Sequence, residues 1–421
     1  MIKKTFEKVN EELYCEKLDN GLEVYLYKTD KTKNFYITIS VKFGANVTKY
    51  KLNNKIYDVV PGSAHFLEHK VMALSENPEI SKRINELGSL ANAWTSYYGT
   101  NYNIFGSINL IENLKLLLDI FYNININEKC VEEEKGIIGE EIDMYKDRID
   151  SLMSNHLYKN LFFDSYIKNT VVGERSDIEK ITAKDLNRIY NDYYVPNNTF
   201  IVVCGNFDPD EVMEVINEYI SNLNLKPKTL PKRVKEKEKE IVKIPYEEIQ
   251  KDIEEPRVKY SIKMDKRIFG IKEDSILKDY LNFILNSNFS SSSKLFEKYK
   301  LKGIVYGLNY SSSIIDDYLV INISAVCKDP DLFIKNIRKD IKKINITKKE
   351  FERNKKRYIR NYILDFDNIE DIEYGITMEL LLDNKIDFNV YTYCMNTKYE
   401  EALRILSLIR FDNECIIKTI K

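Results

Sequence analysis

The segment His65-Phe66-Leu67-Glu68-His69 carries the strongest chemical signal in this chain. The protein has 3 histidines, and two of them fall within these residues. On a helix, positions i and i+4 lie on one face about a turn apart. His65 and His69 can therefore aim both imidazoles at one zinc ion. Glu68, at i+3, lies near the same face, where it can accept a proton from a water that a metal has made acidic. Phe66 and Leu67 would face a core and hold the helix still. A catalytic zinc takes three protein ligands, so a third must come from elsewhere. The remaining histidine, His156, is one candidate, although Leu152-Met-Ser-Asn-His156-Leu-Tyr reads better as a structural setting. The acidic segment Glu132-Glu-Glu134-Lys-Gly-Ile-Ile-Gly-Glu140-Glu141 is the stronger source. Glu134 and Glu141 are two helical turns apart and share a face, and Ile137, Ile138 and Met144 would give that helix an apolar flank to pack inward.

The elements that must position these residues follow from periodicity. Residues 22–29 and 35–43 alternate apolar and polar on either side of a short polar connection, which predicts a hairpin or adjacent strands. Pro61-Gly62-Ser63 opens a helical stretch running to about residue 87. A break at Gly88 leads into a strand pair near 92–107, and helices are expected near 109–121, 128–147 and 150–162. Thr182-Ala-Lys-Asp185 resembles a capping box before a helix that Pro196 ends. A strand over 199–204 and a helix from Pro209 come next.

Residues 226–240 hold two prolines and dense alternating charge, which reads as a solvated linker. Beyond it, strand, helices, strand pair and helices recur in the same order. The chain therefore reads as a divergent repeat of about 200 residues per copy, each an α+β domain. The expected division is 1–222, a charged linker over 223–248, and 249–421. The helix near 273–287 that matches the histidine helix has no histidine, so one half carries chemistry and the other shape.

Composition narrows the class. The 421 residues are 43% hydrophobic and 31% charged, which excludes a disordered chain. A net charge of −2 gives no positive field for nucleic acid or an anionic membrane. No window is long and apolar enough to predict a spanning helix, and the first residues lack an apolar signal core, so the expected location is the cytoplasm. The 6 cysteines are widely spaced with no CxxC pair, and are expected to be reduced structural thiols.

Four spaced segments resemble the M16 family of zinc metallopeptidases. These are Gly62-Ser-Ala-His65-Phe-Leu-Glu68-His69-Lys70, Asn92-Ala93-Trp94-Thr95-Ser96, Glu134 through Tyr145, and Tyr193-Tyr194-Val-Pro196-Asn-Asn with Val202-Val-Cys-Gly-Asn206. Their His-x-x-Glu-His order is the inverse of the zincin pattern. The overall look is that of the short bacterial YmfH-like members. The resemblance implies an α+β fold of two homologous domains, each an antiparallel-rich mixed sheet packed on helices, facing each other as a clamshell. It implies one Zn2+ per chain, held by His65, His69 and Glu141, with Glu140 as that ligand's neighbour. Glu68 would be the general base, and Glu134 would support the site from the same helix. The strand Asn92, Ala93, Trp94 and Thr95 would pair with an extended peptide substrate. The family's second-domain Arg/Tyr pair has no arginine here; Tyr306 is the candidate counterpart, beside Tyr310 and Tyr318. The implied activity is peptide-bond hydrolysis in short or unfolded peptides, with peptide maturation as a plausible role. Implied partners are a second copy or a homologous chain, and the alternative is a non-catalytic or partner-dependent subunit.

Overall fold

A computed structural model of the chain describes residues 1–72 and 78–420. The strands of the first half are β1 (Ile2–Thr5), β2 (Glu12–Lys17), β3 (Glu23–Lys28), β4 (Phe35–Val41), β5 (Lys49–Leu52), β6 (Lys55–Asp58), β7 (Leu90–Thr95), β8 (Thr100–Gly106), β9 (Thr199–Gly205) and the short β10 (Lys232–Arg233). Its helices are α1 (Ser63–Met72), α2 (Pro78–Glu86), α3 (Leu110–Tyr122), α4 (Glu128–Asp147), α5 (Ile149–Leu161), α6 (Arg175–Ile178), α7 (Ala183–Tyr193) and α8 (Pro209–Leu223). The helix expected over 63–87 is therefore α1 and α2, and the part of that expectation at 73–77 lies outside the described residues.

The main sheet runs β1-β2-β3-β9-β4-β8-β7. The expected hairpin of β3 and β4 does not form. Strand β9 lies between them, parallel to β3 and antiparallel to β4. The physical reason is burial: Thr199–Gly205 is buried at every residue, as a central strand covered on both faces must be. One face of the sheet, with Ile37, Ile39, Val41 and Tyr102, packs on α1 and α3.

The second half contains β11 (Tyr246–Gln250), β12 (Arg257–Asp265), β13 (Gly307–Ile315), β14 (Tyr318–Val326) and β15 (Glu414–Ile420). Its helices are α9 (Asp274–Phe289), α10 (Lys294–Leu301), α11 (Pro330–Asp340), α12 (Lys348–Leu364), α13 (Ile369–Leu382), α14 (Val390–Asn396) and α15 (Tyr399–Leu408). Its sheet runs β11-β15-β12-β14-β13, with β11 and β15 parallel and every other pair antiparallel. This repeats β3-β9-β4-β8-β7 strand for strand, in direction and in chain order. The internal repeat is thus visible in the topology.

The compact units do not follow a single cut at residues 222–249. One comprises Met1–Met144, Asn169–Val234 and Asn361–Thr392; the other comprises Tyr145–Lys168, Lys235–Arg360 and Tyr393–Lys421. Helix α13 lays Ile369, Ile372, Ile376 and Leu380 on the first sheet, against Phe200, Val202 and Cys204 of β9. Helix α5 packs on β15 and β12 of the second sheet. Each half of the chain lends the other a helix, because each sheet has a second apolar face to cover.

The charged linker is also more ordered than expected. Lys232 and Arg233 pair with Lys51 and Tyr50 of β5. The Glu238 side chain is 6% exposed in the second unit, where it accepts the backbone N–H groups of Phe163, Asp164 and Ser165 and the ammonium of Lys263 at 3.0 Å. All 6 cysteines are free thiols.

Candidate metal centre

Gly62 sets the entry to α1. Its φ is +89°, and a Cβ there would sit 2.8 Å from the Val172 carbonyl, so only glycine fits without strain. Phe66 and Leu67 are fully buried and lock the helix into the core beneath the sheet. That fixes the opposite face, where the His65 and His69 ring centroids lie 4.6 Å apart.

Helix α4 supplies the third donor. Val131, Ile138 and Ile142 are its inward apolar residues, whereas Ile137 and Met144, expected on that flank, are largely exposed. The Glu141 carboxylate oxygen lies 3.5 Å from His65 Nε2 and 3.4 Å from His69 Nε2. Two donors each about 2.0–2.2 Å from a tetrahedral zinc lie about 3.3–3.6 Å apart, so these spacings fit one ion. The donor atoms of His65, His69 and Glu141 all fall within 4.8 Å of one another, the one such group among the described residues. Glu140 is excluded as the ligand: it is exposed and reaches toward the Arg175 guanidinium at 3.3 Å.

The surrounding groups orient this set. Glu134 is buried, and one of its oxygens lies 2.9 Å from His69 Nδ1. That contact presents His69 Nε2 with its lone pair outward, as metal-bound histidines require. Burial alone would lower the His69 imidazole pKa, but hydrogen bonds to Glu134 and Glu141 push it up to about 9. The two imidazoles, His65 first, hold the Glu141 carboxyl well below the usual carboxylate range. This pocket therefore places the Glu141 carboxylate beside a His69 imidazole that holds its proton, which a cation can satisfy by displacing that proton. The Glu68 carboxylate accepts the Thr95 hydroxyl at 2.5 Å, which ties it to strand β7.

Strand β7 ends its sheet, and among the described residues its outer edge has no strand partner. Asn92 is exposed and its side chain accepts the amide of Ala93. Ala93 and Trp94 are half-buried, and the Trp94 ring lies 6.1 Å from Tyr374 of α13. The other expected residues lie outside the centre. His156 belongs to the second unit, where its Nδ1 meets Glu247 at 2.9 Å. Tyr306 is exposed in that unit, just before β13. The Tyr310 hydroxyl accepts from Asn286, and the Tyr318 hydroxyl donates to the Glu238 carbonyl. Sequence reasoning missed the part played by Lys70, whose ammonium meets Glu134 at 3.2 Å; its place next to His69 was the available signal.

Residues 56–175 match the family model for insulinase (peptidase family M16), and residues 180–358 match that for the peptidase M16 inactive domain. The chain is similar to the uncharacterized zinc protease YmfH of Bacillus subtilis, with 26% identity over 412 residues spanning 95% of this chain and 94% of that protein. It is similar to zinc protease PqqE of Helicobacter pylori, with 25% identity over 424 residues spanning 94% and 88%. Its fold superposes on a structure from Alicyclobacillus acidocaldarius described as an M16-like peptidase, with TM-score 0.87, 22% identity and coverage of 97% and 98%. Matched in series by both halves of that family's architecture, the chain belongs to the M16 peptidase family.

Proposed function

We propose that the chain is a zinc-dependent endopeptidase that hydrolyses extended peptides. The observation that carries this reading is the convergence of His65, His69 and Glu141 within 4.8 Å, with Glu68 on the same helix face. A zinc ion held by those three residues would make a water acidic and withdraw electrons from the scissile carbonyl. Glu68 takes the proton of the attacking water and returns it to the leaving amine. The Thr95 hydroxyl steadies that carboxylate, so one residue links the general base to the strand beside it. The outer edge of β7 takes up the substrate backbone as an added strand, and the side chains of Asn92, Ala93 and Trp94 meet its alternate residues. A main-chain docking mode suits unfolded or short peptides, because a folded protein has few free strand edges.

Incubation with a mixed peptide library, beside a Glu68→Gln variant, tests this reading. Products from the wild-type chain alone are expected by mass spectrometry, with the variant slower by about 10²–10⁴-fold. Wild-type protein that takes up no stoichiometric zinc would sink the proposal.

A second reading has its own observation: residues 180–358 match a domain described as inactive. In that reading a second copy, or a homologous chain, completes the site. Cleavage that appears only above a threshold protein concentration, or only with an added homologous chain, would favour it.

A further inference from the structure

The seam between α1 and α4 contains a buried cation that metal binding does not itself call for. The Lys70 side chain is 1% exposed and the Glu134 side chain 2%. The Lys70 Nζ donates to Glu134 Oε2 at 3.2 Å and to the Cys130 carbonyl at 3.2 Å. Cys130 and Glu134 are i and i+4 on α4, so one ammonium grips a carbonyl and a carboxylate stacked one turn apart. The other oxygen of Glu134 meets His69 Nδ1 at 2.9 Å. Lys70 follows His69 directly on α1, so the two side chains take the two oxygens of one carboxylate from the same helix.

Resting on the zinc reading above, we propose that Lys70 is a positioning residue for the metal centre: acting through Glu134, it fixes the register of α4 on α1. Glu141 lies two turns beyond Glu134 on α4, with its carboxylate oxygen 3.5 and 3.4 Å from the His65 and His69 Nε2 atoms of α1. A slip or roll of α4 by one residue would carry Glu141 about 1.5 Å along the axis and about 100° around it, away from both Nε2 atoms. Val131, Ile138 and Ile142 set which face of α4 is buried, but apolar contacts have no preferred direction within that face. The Lys70 ammonium adds a directional contact at two points of one turn. The same clamp holds Glu134 where it can accept from His69 Nδ1, and outer contacts of this kind govern how well a histidine is aimed at its metal. Two buried charges cost desolvation that an apolar pair would avoid, which suits a role in placement over one in stability.

A double-mutant cycle tests the clamp. Zinc affinity is measured by competition with a chromophoric chelator for wild type, Lys70→Met, Glu134→Gln and the double variant. Each single change is expected to weaken zinc binding about 10–100-fold. The double variant should match Glu134→Gln to within about threefold, since Lys70 acts through that carboxylate. Lys70→Arg should retain most of the affinity. Losses that multiply in the double variant, or wild-type affinity in Lys70→Met, would overturn the clamp. If Lys70→Met does not fold, circular dichroism of the double variant decides: recovery of the fold on neutralising Glu134 supports the coupling, and failure to recover beside a folded Glu134→Gln refutes it. Absence of zinc binding by the wild type is a different outcome, and counts against the metal reading itself.

Discussion

Helices α1 and α9 occupy the same place in their repeats, between the matching strands β4 and β7 or β12 and β13, and α4 and α12 follow β8 and β14 in the same order. The seams they make differ in chemistry. Between α1 and α4 lie two imidazoles, two carboxylates and a buried ammonium. Between α9 and α12, Asn354 donates to the Phe283 carbonyl at 2.9 Å and to the Ser287 hydroxyl at 2.8 Å. Phe283 and Phe351 close that seam edge to face, with ring centroids 5.5 Å apart. The second seam has no imidazole, and its buried ammonium, Lys355, donates to the Met395 and Thr397 carbonyls. The cluster of imidazoles and carboxylates in the first seam is therefore not a requirement of the fold, and burying its charges has a cost that function must justify.

That contrast breaks most completely at Glu141. Glu141→Ala leaves only two imidazole donors, too few for a closed protein ligand set. The variant is expected to retain its circular dichroism spectrum and to lose stoichiometric zinc by elemental analysis, together with any peptidase activity. One equivalent of retained zinc would show that the donors are elsewhere.

The exchanged helices allow a sharper test. Helix α5 buries Met153, Leu157 and Leu161 on its sheet, whereas α13 buries Glu373 among its apolar residues. Glu373 accepts the hydroxyls of Thr38 at 2.8 Å and Thr377 at 2.5 Å, and burial pushes its carboxyl up to about 7. An unfolded glutamate ionises near pH ~4.3. Between those pH values the unfolded chain has released a proton that the folded chain retains, so stability falls as pH rises. At about 1.4 kcal/mol per pH unit, the wild type should lose about 3 kcal/mol relative to Glu373→Gln between pH 4.5 and 8. Denaturant melts of both proteins at the two pH values measure this; parallel curves would refute it.

A smaller effect is expected where the two helices begin. Helix α1 is entered through Gly62 at φ +89°, whereas α9 is entered through Glu273 at φ −90°. Gly62→Ala should cost about 1–3 kcal/mol and lower zinc affinity, because it displaces the start of the ligand helix. Smallest of all, Asn354→Leu should cost about 1–2 kcal/mol through the lost hydrogen bonds and leave zinc affinity unchanged. A loss of zinc in that variant would show that the two seams communicate.

What was legible in the sequence was local. The i, i+4 spacing of His65 and His69, the seven-residue step from Glu134 to Glu141, and the alternation of β4 are properties of short segments, and each takes its expected form. What was not legible depends on partners distant in sequence. Nothing in residues 22–43 indicates that Thr199–Gly205 inserts between their strands. Strand β1 is exposed at every residue, so it carries no apolar alternation to betray it. Glu238 sits in a run of alternating charge, yet its carboxylate is held by three backbone amides some 70 residues earlier in the chain, as Phe163, Asp164 and Ser165 show. The burial of Lys70 likewise depends on α4, whose Glu134 and Cys130 carbonyl receive its ammonium.

The reciprocal loan of α5 and α13 has a consequence for how this chain can be taken apart. A protease that cuts the linker between Lys226 and Glu240 would separate the repeats in sequence but not in substance. The first fragment would keep α5, which its own sheet does not use, and would lack α13. Phe200, Val202, Cys204 and Leu13 would then face solvent on a central sheet, the kind of apolar exposure that drives aggregation. The repeats are thus two in ancestry and one in solubility. The chain passes between the compact units at 144–145, 168–169, 234–235, 360–361 and 392–393, so no single cut separates them. Expression of either half alone is expected to give insoluble protein, and coexpression of the two nicked halves to give a soluble pair.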